Sequence, residues 1–239
     1  KVAQNQLENF INEHTIDGIL VRSATQVRQE LIDACPSIKL IGRGGVGMDN
    51  IDVEYAEEQG LHVINTPAAS SSSVAELVFA HLFGLARFLH SSNREMPLEG
   101  DSRFKELKKA YSQGIELKGK TIGIIGFGKI GQEVAKIGLG LGMNVIATDE
   151  IITSAPIIVE FFNGQKITIN IDTITKDELL KESDFISLHV PAQEDYIITK
   201  SEIEKMKDGV GIINTARGGI LHEVDLVTAI ESGKVQFAG

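Results

Sequence analysis

A glycine-rich turn near the middle of the chain carries the clearest chemical signal. Gly126, Gly128 and Gly131 fit the pattern G-x-G-x-x-G. Between a strand and a helix, such glycines permit a tight turn, a close approach of the backbone to a pyrophosphate, and close packing of the helix on the strand. The N-terminus of that helix offers free N–H groups and a positive dipole end to the phosphates. The pattern therefore predicts dinucleotide binding.

The segments around this turn must be a strand, a helix and a second strand. The apolar run Ile122–Ile125 is typical of a buried strand, and the periodic stretch Ile130–Leu141 is typical of a helix. A second short strand is predicted at Asn144–Thr148, and Asp149 follows it directly. Asp149 is placed to accept hydrogen bonds from the adenosine ribose, and its charge would repel a 2′-phosphate. We therefore predict NAD rather than NADP as the cofactor.

Three arginines follow predicted strands and suggest a second ligand, which is anionic. Arg22 follows the apolar run Gly18–Val21, Arg217 lies in the segment Asn214–Gly219 at the end of a predicted strand, and Arg43 lies in a loop with three glycines. Exposed N–H groups beside a fixed guanidinium suit a carboxylate or a phosphate. Each arginine alone is more often a surface or ion-pair residue. Ligands of open α/β sheets bind outside the carboxyl ends of the strands, so three arginines there predict a small anionic substrate.

The histidines and the cysteine carry less information. His189 ends a predicted strand and can face the cofactor, whereas no His/Cys cluster has the spacing of a metal site, so no metal is expected. The single cysteine, Cys35, excludes an internal disulfide and fits a reducing compartment, so we expect a cytoplasmic location.

Composition excludes two classes of partner. The hydrophobic fraction of 42% and the charged fraction of 23% are ordinary for a soluble globular protein. The net charge of −10 argues against a nucleic-acid partner, whose phosphates would be repelled. The best candidate for a membrane span, Val74–Leu89, is interrupted by three charged or titratable residues, so no membrane association is expected.

Alternating strands and helices predict an α/β fold with parallel sheets and right-handed crossovers. Three short units come first, with strands at Gly18–Val21, Ile38–Ile41 and His62–Ile64. A long helix is expected to start near Ser73, where Ser73 and Glu76 form a capping box.

Two segments of the second half depart from this alternation. Residues 93–118 are polar and are expected to be a loop around one amphipathic turn. Residues 157–171 have the alternation of a β-hairpin around Asn163–Gly164. This hairpin is either a flap beside the adenosine, a dimer edge or a surface insertion, and the last is favoured. Parallel strands resume at Asp184–Leu188 and Val210–Asn214.

Along nearly its whole length the chain resembles the NAD-dependent D-2-hydroxyacid dehydrogenase family. Besides the glycine fingerprint, the matching segments are Val21–Thr25, Gly42–Asp52, Asn65–Pro67, Val74–Glu76, Ser183–Pro191 and Asn214–Gly219. The resemblance implies two doubly wound, Rossmann-like α/β domains. Residues 1–67 would be part of the substrate domain and 68–239 the NAD-binding domain, both incomplete in this chain.

The resemblance also assigns roles to individual residues. Arg217 matches the family's catalytic arginine, which binds the carboxylate and the C2 oxygen of a 2-oxo acid. Arg22 and Arg43 match positions that hold the anionic end of the substrate, and the backbone of Gly44, Gly45 and Val46 matches its carboxylate loop. The expected cofactor-binding residues are Gly126, Gly128, Lys129, Ile130, Gly131, Asp149, His189, Val190, Pro191, Thr215, Ala216 and Arg217.

The implied activity is hydride transfer between NAD and a D-2-hydroxy acid. A phosphate-bearing substrate fits Arg22 and Arg43, which favours D-3-phosphoglycerate, oxidised to 3-phosphohydroxypyruvate in the first step of serine synthesis. The alternatives are reduction of glyoxylate, hydroxypyruvate or another small acid, and an NAD-sensing, corepressor-like binding protein. Because the family's catalytic Glu and general acid follow the Arg-Gly-Gly helix, we expect them beyond Gly239, in a longer protein. Family members imply a homodimer or homotetramer.

Overall fold

Strands and helices alternate along residues 2–239, which this computed structural model describes. The chain divides into two compact units between Ser70 and Ser71. The first unit contains a three-stranded parallel sheet in the order β1-β2-β3. Its strands are β1 (Gly18–Val21), β2 (Leu40–Arg43) and β3 (His62–Asn65). Its helices are α1 (Leu7–Glu13), α2 (Gln29–Ala34) and α3 (Val53–Glu58), with a 3₁₀ turn at Gln4–Gln6 before α1.

The core of the first unit lies between this sheet and its helices. Fully buried apolar side chains from both include Ile11, Ile41 and Ala56. Strand β2 begins and ends two residues later than the predicted strand Ile38–Ile41. Arg43 is thus the last residue of β2, paired with Val21 of β1, rather than a loop residue.

The second unit contains a five-stranded parallel sheet in the order β10-β9-β8-β4-β5, beside a two-stranded hairpin β6-β7. The strands are β4 (Thr121–Ile125), β5 (Asn144–Thr148), β6 (Ser154–Glu160), β7 (Lys166–Asp172), β8 (Phe185–Leu188), β9 (Val210–Asn214) and β10 (Val235–Ala238). The helices are α4 (Ser71–Ala86), α5 (Leu89–Tyr111), α6 (Lys129–Gly140), α7 (Lys176–Glu182), α8 (Lys200–Lys205) and α9 (Glu223–Glu231). The predicted α/β class with parallel sheets is confirmed.

The five-stranded sheet is buried on both faces. Ile122 and Ile124 of β4 belong to one apolar cluster with helices α4 and α6. Ile125 belongs to a second cluster with helices α7, α8 and α9. The chain passes from β4 to β5 on one side of the sheet, and later strands are added on the other side of β4. The carboxyl ends of β4 and β8 therefore form a topological switch point, where open α/β sheets bind ligands.

The long helix α4 begins earlier than predicted. It starts at Ser71, so Ser73 lies inside its first turn and the predicted capping box of Ser73 and Glu76 is wrong. Ser71 is buried, whereas Ser73 is exposed. In a run of four serines the choice of cap depends on which residue the core buries, and local sequence does not decide this.

The predicted loop over residues 93–118 is also wrong, because most of it belongs to helix α5. The helix contains Pro97 and has a kink at Arg103, where φ is −118° and ψ is 22°. The guanidinium of Arg103 bonds the carboxylates of Glu99 and Glu106, one turn away on either side. Such pairs stabilise an exposed helix of polar composition. Leu107 is its buried residue.

Among the described residues, no single helix is long and apolar enough to cross a membrane. Helices α4 and α5 have the length and composition of a membrane span only when they are taken together, and this pair is bent by 52° at the break between them.

Candidate dinucleotide and anion sites

The three fingerprint glycines hold a turn between β4 and α6, and each for a different reason. Gly126 has φ of +93°, and a Cβ there would lie 2.6 Å from the carbonyl oxygen of His189. A Cβ at Gly131 would lie 2.2 Å from the carbonyl oxygen of Gly126. Gly128 is the N-cap residue of α6, and a Cβ there would meet no atom within 4 Å. Two glycines are thus required by the fold, and the third keeps open space above the turn.

This open space lies at the N-terminus of α6, a position that can bind the phosphates of a dinucleotide. Lys129 and Ile130 are the first two residues of α6, and backbone N–H groups of a first helical turn have no acceptor within the helix. No side chain caps this end of α6. Unpaired donors and the positive end of the helix dipole therefore face the space that Gly128 leaves open.

The carboxylate of Asp149 is held by backbone N–H groups at both of its oxygens. Oδ2 accepts a hydrogen bond of 2.6 Å from the N–H of Phe127, inside the glycine turn. Oδ1 accepts bonds of 2.9 Å from the N–H groups of Ile151 and Ile152. Burial raises the pKa of the Asp149 carboxyl, but these three donors outweigh burial and hold the pKa below its ordinary value. Sequence reasoning gave Asp149 a ribose role alone and missed this structural one.

Replacing Asp149 with asparagine is expected to lower the free energy of unfolding by about 1–3 kcal/mol, because the amide NH₂ would face a backbone N–H without an acceptor. The wild-type stabilisation is full above about pH 3.9, the ordinary pKa of an unfolded Asp. It is lost as pH falls through the lower pKa of the folded state. Denaturant unfolding at pH 7 and in acid measures both effects. The exposed neighbour offers a control, Glu150→Gln, which should change neither; equal stability of the two variants would contradict the prediction.

His189 follows β8 at the switch point, and its ring is held on one side only. Its Nε2 lies 2.8 Å from the hydroxyl of buried Ser187, whereas its Nδ1 is buried without a hydrogen-bond partner. Burial lowers the pKa of the His189 imidazole to about 4, so the ring is neutral at pH 7. A Cβ built at Gly126 would lie 2.6 Å from the carbonyl oxygen of His189 and 3.0 Å from Cγ1 of Val190. His189 and Val190 therefore both border the glycine turn. Pro191, the next residue, is exposed.

The turn after β9 is clamped by its own asparagine. Asn214 Oδ1 accepts a 3.0 Å hydrogen bond from the N–H of Ala216, and Asn214 Nδ2 donates to the carbonyl of Arg217 at 2.9 Å. The guanidinium of Arg217 donates to the carbonyl of Ala216 at 2.8 Å. The Oγ1 of Thr215 is buried without a hydrogen-bond partner. Buried polar atoms without partners at the carboxyl ends of β8 and β9 fit bound polar groups of a ligand.

In the first unit, Arg22 and Arg43 lie at the carboxyl ends of the paired strands β1 and β2. The N–H of Gly44 donates to the carbonyl of Val21 at 2.9 Å, and a Cβ at Gly44 would lie 3.7 Å from Arg22 Cγ. Arg43 Nη1 bonds the carbonyl of Gly44 at 3.2 Å. Arg22 and Arg43 thus border the same loop.

Gly45 is essential to the position of Arg43. Its φ is +150°, and a Cβ there would lie 1.3 Å from Arg43 Nη1. The guanidinium of Arg43 lies across the space that a side chain at position 45 would occupy. The Nε of Arg43 is buried without a hydrogen-bond partner. Any other residue at position 45 would displace Arg43.

Two asparagines that sequence reasoning did not single out hold these loops. Buried Asn50 donates from Nδ2 to the carbonyls of Arg22, at 3.2 Å, and Thr25, at 2.6 Å. Asn65 donates from Nδ2 to the carbonyl of Val46 at 2.8 Å. Both lie in segments that carry the family resemblance. The signal for this role in the sequence was the short polar side chain of an asparagine next to an apolar strand or a glycine-rich loop.

Comparison with known proteins gives a family match over two thirds of the chain. Residues 79–239 match the family model described as D-isomer specific 2-hydroxyacid dehydrogenase, NAD binding domain. The predicted NAD cofactor is confirmed by this match.

Named relatives cover the chain almost completely. A hydroxypyruvate reductase from Thermotoga maritima is 46% identical over 99% of this chain and 71% of its own length. A D-3-phosphoglycerate dehydrogenase from Archaeoglobus fulgidus is 41% identical over 93% of this chain and 40% of its own length. The structure of a D-lactate dehydrogenase from Aquifex aeolicus, complexed with NAD and lactic acid, is 34% identical with a TM-score of 0.74, covering 100% of this chain and 66% of that one. The chain thus spans less than half the length of the phosphoglycerate dehydrogenase.

Proposed function

Because the chain belongs to the family of D-isomer specific 2-hydroxyacid dehydrogenases, we propose that the protein is an NAD-dependent oxidoreductase acting on a D-2-hydroxy acid. Bound NAD would supply the hydride chemistry at its nicotinamide. The turn that includes Gly128 would hold the diphosphate, and Asp149 the adenosine ribose. The open space above Gly128 and the free N–H groups of α6 support this placement.

Arg217 would orient the substrate. A guanidinium binds a carboxylate through two parallel N–H···O bonds, and it stabilises negative charge that develops on a neighbouring oxygen. The clamp of Asn214 on the backbone of Ala216 and Arg217 fixes the turn before substrate arrives. Such preorganisation favours reaction because less reordering is needed at the transition state.

The proposed substrate is D-3-phosphoglycerate, oxidised to 3-phosphohydroxypyruvate. One observation carries this choice, namely that Arg22 and Arg43 lie at the carboxyl ends of two paired strands and border one loop. Two guanidinium groups suit a phosphate, which offers three acceptor oxygens, better than the single carboxylate of a small acid.

A second candidate is reduction of hydroxypyruvate, which lacks the phosphate. The 46% identity to a hydroxypyruvate reductase over 99% of this chain favours it. The two candidates share the cofactor, the role of Arg217 and the position of the hydride. They differ only in whether Arg22 and Arg43 contact a phosphate.

Composition and family membership also support proposals on nucleic-acid binding, cellular location and oligomeric state. The net charge of −10 supports the absence of a nucleic-acid partner. The single buried Cys35 supports a reducing compartment, the cytoplasm. Family membership supports a homo-oligomer.

A substrate panel tests the proposed function. Initial rates of NADH oxidation by the full-length protein would be measured with 3-phosphohydroxypyruvate, hydroxypyruvate, glyoxylate and pyruvate. We expect the phosphorylated acid to have the highest kcat/KM. Preference for hydroxypyruvate would select the second candidate. Turnover with none of the four, despite NADH binding, would contradict the enzymatic proposal and favour an NAD sensor.

The variant Arg22→Gln separates the phosphate role from general damage. It keeps hydrogen-bonding capacity but removes the charge, so KM for 3-phosphohydroxypyruvate is expected to rise roughly tenfold or more. Rates with glyoxylate should stay close to wild type, because glyoxylate has no phosphate. An equal change with both substrates would contradict the assignment of Arg22 to the phosphate.

A further inference from the structure

Ser187 and His189 form a polar pair at the carboxyl end of β8, inside the second unit. Residues two apart along a strand point to the same face of the sheet. The Ser187 side chain is fully buried, and its partners in register on the neighbouring strands are Ile124 and Ile213. Its hydroxyl lies 2.8 Å from Nε2 of His189 and has no other hydrogen-bond partner among the described residues. The ring of His189 is therefore the acceptor that this hydroxyl can reach.

This pairing decides which nitrogen of the His189 ring carries the proton. A neutral imidazole has one N–H donor and one acceptor nitrogen. With the proton on Nε2, the Ser187 hydroxyl would accept the hydrogen bond, and both its own O–H and the Nδ1 of His189 would be buried without partners. With the proton on Nδ1, the Ser187 O–H donates to Nε2 and only the Nδ1–H is unpaired. Because each buried polar group without a partner is costly, the second arrangement is favoured.

We infer that Ser187 is a positioning residue that keeps the proton of His189 on Nδ1, and that this Nδ1–H donates a hydrogen bond to an oxygen of the nicotinamide riboside of the bound dinucleotide. The inference rests on the proposed function, because it requires a nicotinamide cofactor at the glycine turn. It adds a neutral donor whose orientation is fixed by a buried serine of the sheet.

The order of the strands selects this half of the cofactor. In the order β10-β9-β8-β4-β5, strands β8 and β5 lie on opposite sides of β4. Asp149, proposed for the adenosine ribose, follows β5, and the glycine turn proposed for the diphosphate follows β4. A dinucleotide in this position extends its nicotinamide riboside toward the carboxyl ends of β8 and β9. The acceptor oxygens of that half are the ribose hydroxyls and the carboxamide oxygen.

The neighbour of His189 on β9 supports a ligand contact. Leu188 and Asn214 are partners in register, so the residues that follow them, His189 and Thr215, are neighbours at adjacent strand ends. The Oγ1 of Thr215 is also buried without a hydrogen-bond partner. Buried polar groups in folded proteins almost always have such a partner. Two unpaired polar atoms at adjacent strand ends therefore indicate a polar ligand rather than a purely structural histidine.

Nitrogen NMR of the full-length protein with ¹⁵N-labelled histidine tests the tautomer in the absence of cofactor. Long-range proton–nitrogen correlations distinguish protonated from unprotonated ring nitrogens, and the variant His189→Gln identifies the His189 signals by their loss. At neutral pH we expect wild type to be protonated at Nδ1 alone, and Ser187→Ala to show a mixture of tautomers. A wild-type ring protonated at Nε2, or an unchanged ring in Ser187→Ala, would overturn the inference.

Binding of NADH and ADP tests the contact with the cofactor. The two ligands share adenosine and diphosphate, but ADP lacks the nicotinamide riboside. His189→Gln reaches toward Ser187 in place of Nε2 and has no donor in place of Nδ1. NADH affinity should therefore fall about tenfold in this variant, and ADP affinity should stay unchanged. Ser187→Ala should lower NADH affinity with the same selectivity.

Two further variants separate the donor from general damage. The shorter His189→Asn places an amide donor near the position of Nδ1, so it should recover most of the NADH affinity that His189→Gln loses. The control His14→Gln replaces an exposed histidine of the first unit and should change neither affinity.

ADP-ribose, which has the second ribose but no nicotinamide, identifies the oxygen. A loss of affinity in His189→Gln that extends to ADP-ribose supports a contact with a ribose hydroxyl, and a loss confined to NADH supports one with the carboxamide. Equal losses for NADH and ADP, or no loss for either, would overturn the inference and leave the proposed function intact. Failure of the wild-type protein to bind NADH would overturn both.

Discussion

Replacing Arg217 with alanine is expected to lower kcat/KM for the preferred 2-oxo acid by about a thousandfold or more, because the change would remove the charged donor proposed at the reacting oxygen. The affinity for NADH should fall far less, since the contacts proposed for the diphosphate and the adenosine ribose, at the glycine turn and Asp149, do not include Arg217. Steady-state rates with NADH and fluorescence titration of NADH measure the two effects separately. Turnover close to wild type would exclude Arg217 from the reaction.

Lysine at the same position gives a graded comparison. Arg217→Lys keeps the charge but loses the planar fork, so activity is expected to recover only in part. The matched control is Arg103→Ala on helix α5, where the guanidinium pairs with Glu99 and Glu106 at the surface. Exposed pairs contribute little to stability, so this variant should keep wild-type rates and stability. An equal loss in both alanine variants would indicate general damage and not a role at the site.

The second large effect is expected at the glycine turn, where two alanine substitutions should fail in different ways. Gly131→Ala places a methyl group 2.2 Å from the carbonyl oxygen of Gly126, so helix and strand must separate. We expect the free energy of unfolding to fall by about 3 kcal/mol, which is the upper end of the usual cost of overpacking a core. Gly128→Ala meets no atom within 4 Å and should fold normally. Its methyl group fills the space proposed for the diphosphate, so NADH affinity should fall about tenfold or more.

Gly140, at the other end of the same helix, supplies the control. A Cβ there also meets nothing within 4 Å, but the site lies away from the turn. Gly140→Ala should therefore retain both stability and NADH affinity. Calorimetry of unfolding and of NADH binding on the three variants separates folding from binding. Normal NADH affinity in Gly128→Ala would contradict the placement of the diphosphate.

Local pattern sufficed for the strand, helix and strand around the glycine turn, β4, α6 and β5. The predicted strand Asn144–Thr148 is confirmed to the residue, and β4 and α6 differ from prediction by one residue at each displaced end. Here apolar periodicity, glycine positions and burial all favour the same elements, and this agreement makes local sequence sufficient. The hairpin is confirmed for the same reason, because alternation and Asn163–Gly164 agree.

Helix α5 could not be predicted from the same signals. Pro97 and Gly100 are typical helix breakers, and the helix has almost no apolar face to reveal its period. Its exposed surface instead carries pairs between side chains three and four residues apart, such as Arg103 with Glu106 and Glu99, each of which contributes only about 0.2–0.5 kcal/mol. A reading based on apolar periodicity does not detect such pairs.

In the candidate site, local sequence likewise predicts which residues carry the chemistry, but it does not predict the contacts that hold them. Residue type and position after a strand were enough to select Arg22, Arg217 and Asp149 for proposed roles. The supporting contacts depend on residues brought near by the fold, so they are absent from local sequence. Asn50 holds the loop after β1 from a position well along the chain, and Asp149 bonds the glycine turn that precedes it.

The bonds of Asp149 to Phe127, Ile151 and Ile152 also constrain how coenzyme preference can change. Under the ribose role proposed for Asp149, acceptance of NADP would need the negative charge at this position removed. In this chain the same carboxylate joins the glycine turn to the segment after β5. Exchange of the residue alone leaves backbone donors without acceptors. An engineered or evolved NADP-dependent form therefore needs a second substitution that supplies new acceptors, so the two changes are coupled in stability and neither is neutral by itself.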